Sequence, residues 1–216
     1  PGGLLNGGRD VRELKGVTAY FNAGGDLRRA AGDEAGGLAR ELFAECIRGI
    51  IQAETFLYVE RGYGTPESYG AHWEKAYLNS CRYYSNLHRV TRRWSEYVGG
   101  HCPGASLYSR AKNCSVFKAG GGLAAFGVFS DSFHEMNVRL NLSEDGIVTE
   151  CAGNFLRAPD RVCFENAASL GRLSGAAFTN LSKKQIAGMI GGDAGCDHLV
   201  DLVNDLARVL EILPKY

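Results

Sequence analysis

The sequence lacks several features that would each have fixed a functional class at once. No apolar run approaches the roughly 18 residues needed to span a bilayer, and no signal-peptide pattern opens the chain. Net charge is absent too: Lys+Arg and Asp+Glu both number 24. Without a basic face there is no counterion release to drive binding, which argues against nucleic acid or an anionic membrane as a main partner. C-x-x-C pairs are missing, and the seven cysteines are odd in number and irregularly spaced. A disulfide framework would leave none over, so the thiols read as reduced, in a cytoplasmic setting. Nor is Gly120-Gly121-Gly122 a phosphate loop, because no Lys-Ser/Thr follows it and no helix begins there.

What is present is ordinary globular material. The 216 residues are 45% hydrophobic and 22% charged, enough for one large domain or two small ones with a real core. The chain opens at Pro1, which fits either a fragment or loss of the initiator methionine. Residues 37–58 predict an amphipathic helix, with Leu38, Leu42, Cys46, Ile50 and Ile51 recurring at three- and four-residue steps. Thr65 and Pro66 are placed to cap and open the next helix, over 67–98, which is rich in Tyr, Trp and Arg. Its aromatic face is expected to pack on a neighbouring domain rather than to stack on bases. A glycine-rich linker, 100–105, follows.

From Lys112 the period falls to two, predicting four strands of an antiparallel meander at 114–118, 123–129, 133–142 and 147–156. Gly120-Gly121-Gly122 and Glu144-Asp145-Gly146 supply tight turns. In the third strand His134, Met136, Val138, Leu140 and Leu142 share the face that must be buried. Three helical segments close the chain. Asp160 caps the first, with Cys163 in its opening turn. Ser182 to Gln185 forms a capping box on the second, and the third follows the turn 191–195. The expected fold is therefore α+β: a four-stranded antiparallel meander packed against C-terminal helices, preceded by a helical N-terminal half. Its parts are a degenerate helical half-repeat (1–60), a long aromatic-rich helix with linker (61–106), and an α+β domain (107–216).

The half-repeat rests on an internal echo. Gly192-Asp193, Leu202 and Arg208 match Gly32-Asp33, Leu42 and Arg48 at one constant offset, and Leu173-Ser174-Gly175 resembles Leu14-Lys15-Gly16. The echo fails where chemistry would sit, since Cys196 falls opposite Gly36 and nothing answers His198. Any site then belongs to the second copy. The helical N-terminal half would serve a protein partner or a second copy of the chain.

Gly195-Cys196-Asp197-His198, at the start of the last helix, is the strongest local signal. Unpaired N–H groups and the helix dipole favour a thiolate there. Cys163 has the same position on another helix, and His134 adds an imidazole on the apolar face of the sheet. Together Cys163, Cys196, His198 and His134 make a Cys2His2 set suited to zinc or iron. Glu135 is sent to the opposite face from His134 by strand alternation. Asp131 could order His134 or cap a turn, and the turn is the favoured role. His101-Cys102-Pro103-Gly104 has no second ligand nearby in sequence.

The run Asp131-Ser132-Phe133-His134-Glu135-Met136 resembles a bacterial family, the domain of unknown function numbered 2889. So do Arg157-Ala158-Pro159-Asp160, Cys163, and Gly191-Gly192 with Gly195-Cys196-Asp197-His198-Leu199. The likeness covers about 107–210, with Asp197 in place of the family's usual Thr. It supports the domain boundary and the choice of His134, Cys163, Cys196 and His198. A weaker likeness is to iron–sulfur assembly scaffold proteins, through the order His134, Asp145-Gly146, strand 147–156, Cys163, then Cys196 with His198; those proteins carry Cys where this chain has His134. The leading expectation is a metal-binding protein, zinc or iron, with an iron–sulfur-related role as one form of it and a Cys/His site at the sheet–helix junction. The alternatives are a thiol-dependent enzyme with Cys196 or Cys163 as nucleophile, and an interaction subunit with no bound metal.

Overall fold

A computed structural model of the chain describes residues 10–32, 37–99, 104 and 106–212. It divides into two compact units, Pro1–Gly62 and Tyr63–Tyr216. No helix among the described residues is long and apolar enough to cross a membrane.

In the first unit, helix α1 (Gly24–Ala31) packs against α2 (Leu38–Ala53), which continues into a 3-10 turn at Glu54–Phe56. The periodicity of 37–58 thus gives a helix, but its apolar stripe is not a core. Ile51 is buried, whereas Leu38, Leu42 and Ile50 are 45%, 58% and 48% exposed and Cys46 is exposed as well. Spacing decides which residues share a face; it does not supply a surface to cover them. The buried acid of this unit, Glu54, accepts hydrogen bonds from Arg61 Nε at 2.7 Å and from the Tyr20 hydroxyl at 3.4 Å. No strand occurs among residues 10–32 and 37–62. Asp33 and Gly36, on which the proposed repeat partly rests, lie outside the described residues.

The second unit opens as the local chemistry dictates. Thr65 caps α3 (Pro66–Ala76), its hydroxyl taking the Ser68 N–H while the Ser68 hydroxyl takes the Thr65 N–H. The single helix expected over 67–98 is instead three: α3, α4 (Arg82–Ser85) and α5 (Trp94–Gly99). Asn79 adopts a left-handed φ of 60°, which no helix can carry through. Asn86 then folds its amide back onto the Arg82 carbonyl at 2.8 Å, competing with the helix ladder. The aromatic residues pack inward. Tyr83 joins the core, and Trp94 meets the buried Phe133 edge-on at 4.8 Å.

The sheet is the expected meander. Strands β1 (Arg110–Ala119), β2 (Gly122–Asp131), β3 (Glu135–Ser143) and β4 (Val148–Arg157) lie in the order β1-β2-β3-β4, all antiparallel. Gly120 and Gly121 turn the first hairpin with φ of 52° and 82°. Met136, Val138, Leu140 and Leu142 are buried on one face of β3, as alternation requires. Over that sheet lie α6 (Arg161–Phe164), a 3-10 segment Glu165–Leu173, α7 (Lys183–Ile190) and α8 (Asp197–Glu211). Leu199, Leu202 and Leu206 of α8 are fully buried, each worth about 1.5–3 kcal/mol of transfer free energy. The helix can sit this low because β2 offers Gly127, whose added Cβ would lie 3.0 Å from a Leu202 methyl carbon. Close packing of α8 on β2 is what carries its first turn to the end of that strand.

Candidate metal centre

Three side chains converge where β2 ends, the β2–β3 loop turns and α8 begins: Asp131, His134 and His198. One ligand atom from each lies within 4.8 Å of the other two. The loop places the first pair. Asp131 Oδ1 accepts from the backbone N–H of Phe133 at 2.8 Å and of His134 at 2.6 Å, and the Asp131 N–H donates to the His134 carbonyl at 2.8 Å. Asp131 therefore both caps the turn and orders His134, whose ring Nδ1 stands 3.2 Å from Oδ1. An ionised carboxylate can only accept, so Nδ1 is the nitrogen that donates to it. The loop is pinned on its other sides as well. Arg157 donates to the carbonyls of Ser132 and Asp131, both at 2.6 Å, and the Tyr97 hydroxyl donates to that of Phe133 at 2.6 Å.

His198 arrives from α8. Cys196 is the extended N-cap residue of that helix and is held by its N–H to the Ile190 carbonyl at 2.9 Å. Two residues later the His198 ring lies over that of His134, with centroids 4.0 Å apart, and Phe129 packs edge-on at 5.3 Å. His198 Nε2 is 3.9 Å from Asp131 Oδ2, which also accepts from the Tyr108 hydroxyl at 3.2 Å. On the far side of the ring, Cys196 Sγ lies 3.8 Å from His198 Nδ1.

The electrostatics follow from burial. Burial alone would raise the Asp131 carboxyl, but the His134 ring, His198 and the Phe133 N–H outweigh it and hold the group well below the usual carboxylate range. Burial, together with the neighbouring His134, pulls the His198 imidazole down to about 3. Burial pushes the Cys196 thiol far above its ordinary value, and the Cys163 thiol up to about 12. The centre thus presents one carboxylate and an uncharged His198 ring beside a protonated thiol. A tetrahedral ion with bonds of about 2.1 Å sets its ligand atoms about 3.4 Å apart, so atoms that lie within 4.8 Å of one another would close by up to about 1.4 Å to hold it.

Of the four ligands expected from the sequence, His134 and His198 meet. Cys196 touches the outer edge of His198 without joining the three-residue group, and Cys163 lies outside that group, buried in α6. Asp131, expected from the sequence to cap a turn in preference to ordering His134, is the third member. The legible signal was its spacing, a carboxylate three residues before a histidine across a tight hairpin. Glu135 is not in the group, and its carboxylate lies 4.0 Å from Arg157 Nε. His101 and Cys102 lie outside the described residues.

Residues 128–211 match the family described as Protein of unknown function (DUF2889). The stretch similar to that family contains Asp131, His134, Cys163, Cys196 and His198 and is shorter than the 107–210 suggested by motifs. No curated protein and no solved structure matches the chain. The likeness to iron–sulfur scaffolds has no match behind it.

Proposed function

We propose that Asp131, His134 and His198 bind one divalent transition-metal ion, zinc or iron, at the junction of sheet and helix. The observation that carries this reading is the convergence of the three donor atoms within 4.8 Å. Two imidazoles and one carboxylate suit zinc, and they are also the donor set of mononuclear iron sites with open coordination positions. Asp131 serves twice in this scheme. Its Oδ1 fixes the tautomer of His134, as outer carboxylates do for ligating histidines, while Oδ2 faces His198 and is the oxygen offered to the metal. The group contains no cysteine, so the donor set favours a single ion over an iron–sulfur cluster.

A second reading, a thiol-dependent enzyme, is favoured by the contact of Cys196 Sγ with His198 Nδ1. Against it stand the raised thiol and the depressed imidazole, which leave a protonated sulfur beside a poor base. Elemental analysis of protein purified without chelator, followed by calorimetric titration with zinc and ferrous ions, separates the two. The metal reading expects about one equivalent bound. His198→Ala and His134→Ala should each weaken binding by about tenfold or more, and Cys163→Ser should leave it unchanged. Less than about half an equivalent of any transition metal after reconstitution would overturn it.

A further inference from the structure

A second feature of the same unit is independent of the metal group. Arg92, Tyr97, Leu156, Arg157, Arg161 and Phe164 line an open cleft of about 530 Å³. Two of its lining side chains are apolar and exposed, Leu156 by 64% and Phe164 by 41%. The lining is also cationic. Three arginines face one carboxylate, Asp160, and that carboxylate is already saturated. Asp160 accepts from the Thr91 N–H at 2.9 Å, the Thr91 hydroxyl at 2.7 Å, the Arg92 N–H at 2.9 Å and the Val162 N–H at 3.1 Å.

The arginines differ in what holds them. Arg157 is tied to loop carbonyls and has the Glu135 carboxylate 4.0 Å from its Nε. Arg92 donates to the Pro159 carbonyl at 3.1 Å and lies over the Tyr97 ring at 4.5 Å, so its plane is oriented while its charge is not cancelled. Arg161 has no hydrogen-bond or ion-pair partner among the described residues. Like charges gathered round exposed apolar side chains cost free energy in the empty state, and a ligand with a negative head and an apolar body removes both costs together. The volume falls in the range of small-molecule sites.

We propose that this cleft binds a small organic anion, one carboxylate or phosphate head carrying an aromatic or aliphatic body. The arginines take the head, and Leu156, Phe164 and Tyr97 take the body.

The test is calorimetric titration of the full chain with phenyl phosphate and with benzoate, beside inorganic phosphate and benzyl alcohol. At least one of the two aromatic anions should saturate one site, and the arm that binds tighter identifies the head group. Affinity should fall by about tenfold or more in Arg161→Ala, and should fall as salt is raised. Arg161→Lys should give an intermediate loss, and it carries the test if the alanine variant melts lower than the parent chain. Binding by neither aromatic anion would overturn the proposal, as would equal affinity for benzyl alcohol. So would an unchanged Kd in both Arg161 variants, or inorganic phosphate binding as tightly as phenyl phosphate.

Discussion

Gly195 sits where α8 is joined to the rest of the fold, and replacing it by alanine tests how that helix is positioned. A Cβ built there would stand 2.2 Å from the Ile190 oxygen, 2.4 Å from the Gly191 oxygen and 2.5 Å from the Ile190 carbonyl carbon. All three are backbone atoms, so no side-chain rotation relieves the overlap. The conformation itself is not the difficulty, since Gly195 is extended at φ −139° and ψ −160°. Alanine would even lower the entropy of the unfolded chain, worth about 0.4–1 kcal/mol in its favour. Against this, the chain must open by roughly 1 Å to reach ordinary contact. Three bonds cross the joint: the Cys196 N–H to Ile190, the Gly195 N–H to Gly192 and the Arg82 N–H to the Gly195 carbonyl, each at 2.9 Å. Losing two of them costs about 2 kcal/mol, and overpacking adds about 1–3 kcal/mol. The net expectation is a loss of about 2–4 kcal/mol in urea unfolding, and the proposed metal binding should weaken with it because His198 moves with the helix. Gly188→Ala is the internal control. It is exposed within α7 with nothing within 4 Å of the added carbon, so it should gain about 0.5–1 kcal/mol. A Gly195→Ala protein within about 0.5 kcal/mol of the parent would refute the reasoning.

Asp160→Ala should lower stability by about 2–3 kcal/mol in the same assay, since it uncaps α6 and strands the donors of Thr91 and Arg92; a loss below about 1 kcal/mol would show that water replaces the carboxylate. Burial, then the charge of Glu150, pushes the Cys151 thiol up to about 12 from an ordinary 9.0. The folded chain keeps that proton to higher pH than the unfolded one, so this contribution is whole below pH 9.0 and is lost as pH rises toward about 12. Urea unfolding at pH 8 and pH 10 should therefore show an alkaline loss of stability that is smaller in Cys151→Ala, and equal losses would contradict it. A thiol reagent should label the exposed Cys46 faster than the buried Cys151, Cys163 and Cys196. Fast labelling of Cys196 would instead favour the thiol-enzyme reading.

Much of the fold was legible because it is written in short-range chemistry. Alternation over 133–142 determined the buried face of β3, and the caps at Thr65, Asp160 and Ser182 formed as their neighbours dictated. Where a local bond runs against the pattern, the pattern failed: Asn79 and Asn86 cut the segment 67–98 into three helices, although its composition reads as one.

The site divides in the same way. His134 and His198 were visible as histidines at element ends, and Asp131 as a residue that either orders His134 or caps a turn, but not as a partner of both rings. Cys163 and Cys196 share an electrostatic setting at helix openings, and similarity of setting carries no information about distance. Only the tertiary structure brought Asp131 under both rings, by folding a three-residue loop back on its own carboxylate and by laying α8 across β2 at Gly127. A chain states the chemistry of each residue, but which ones meet depends on packing between segments far apart in it, and no single stretch of sequence contains both sides of that contact.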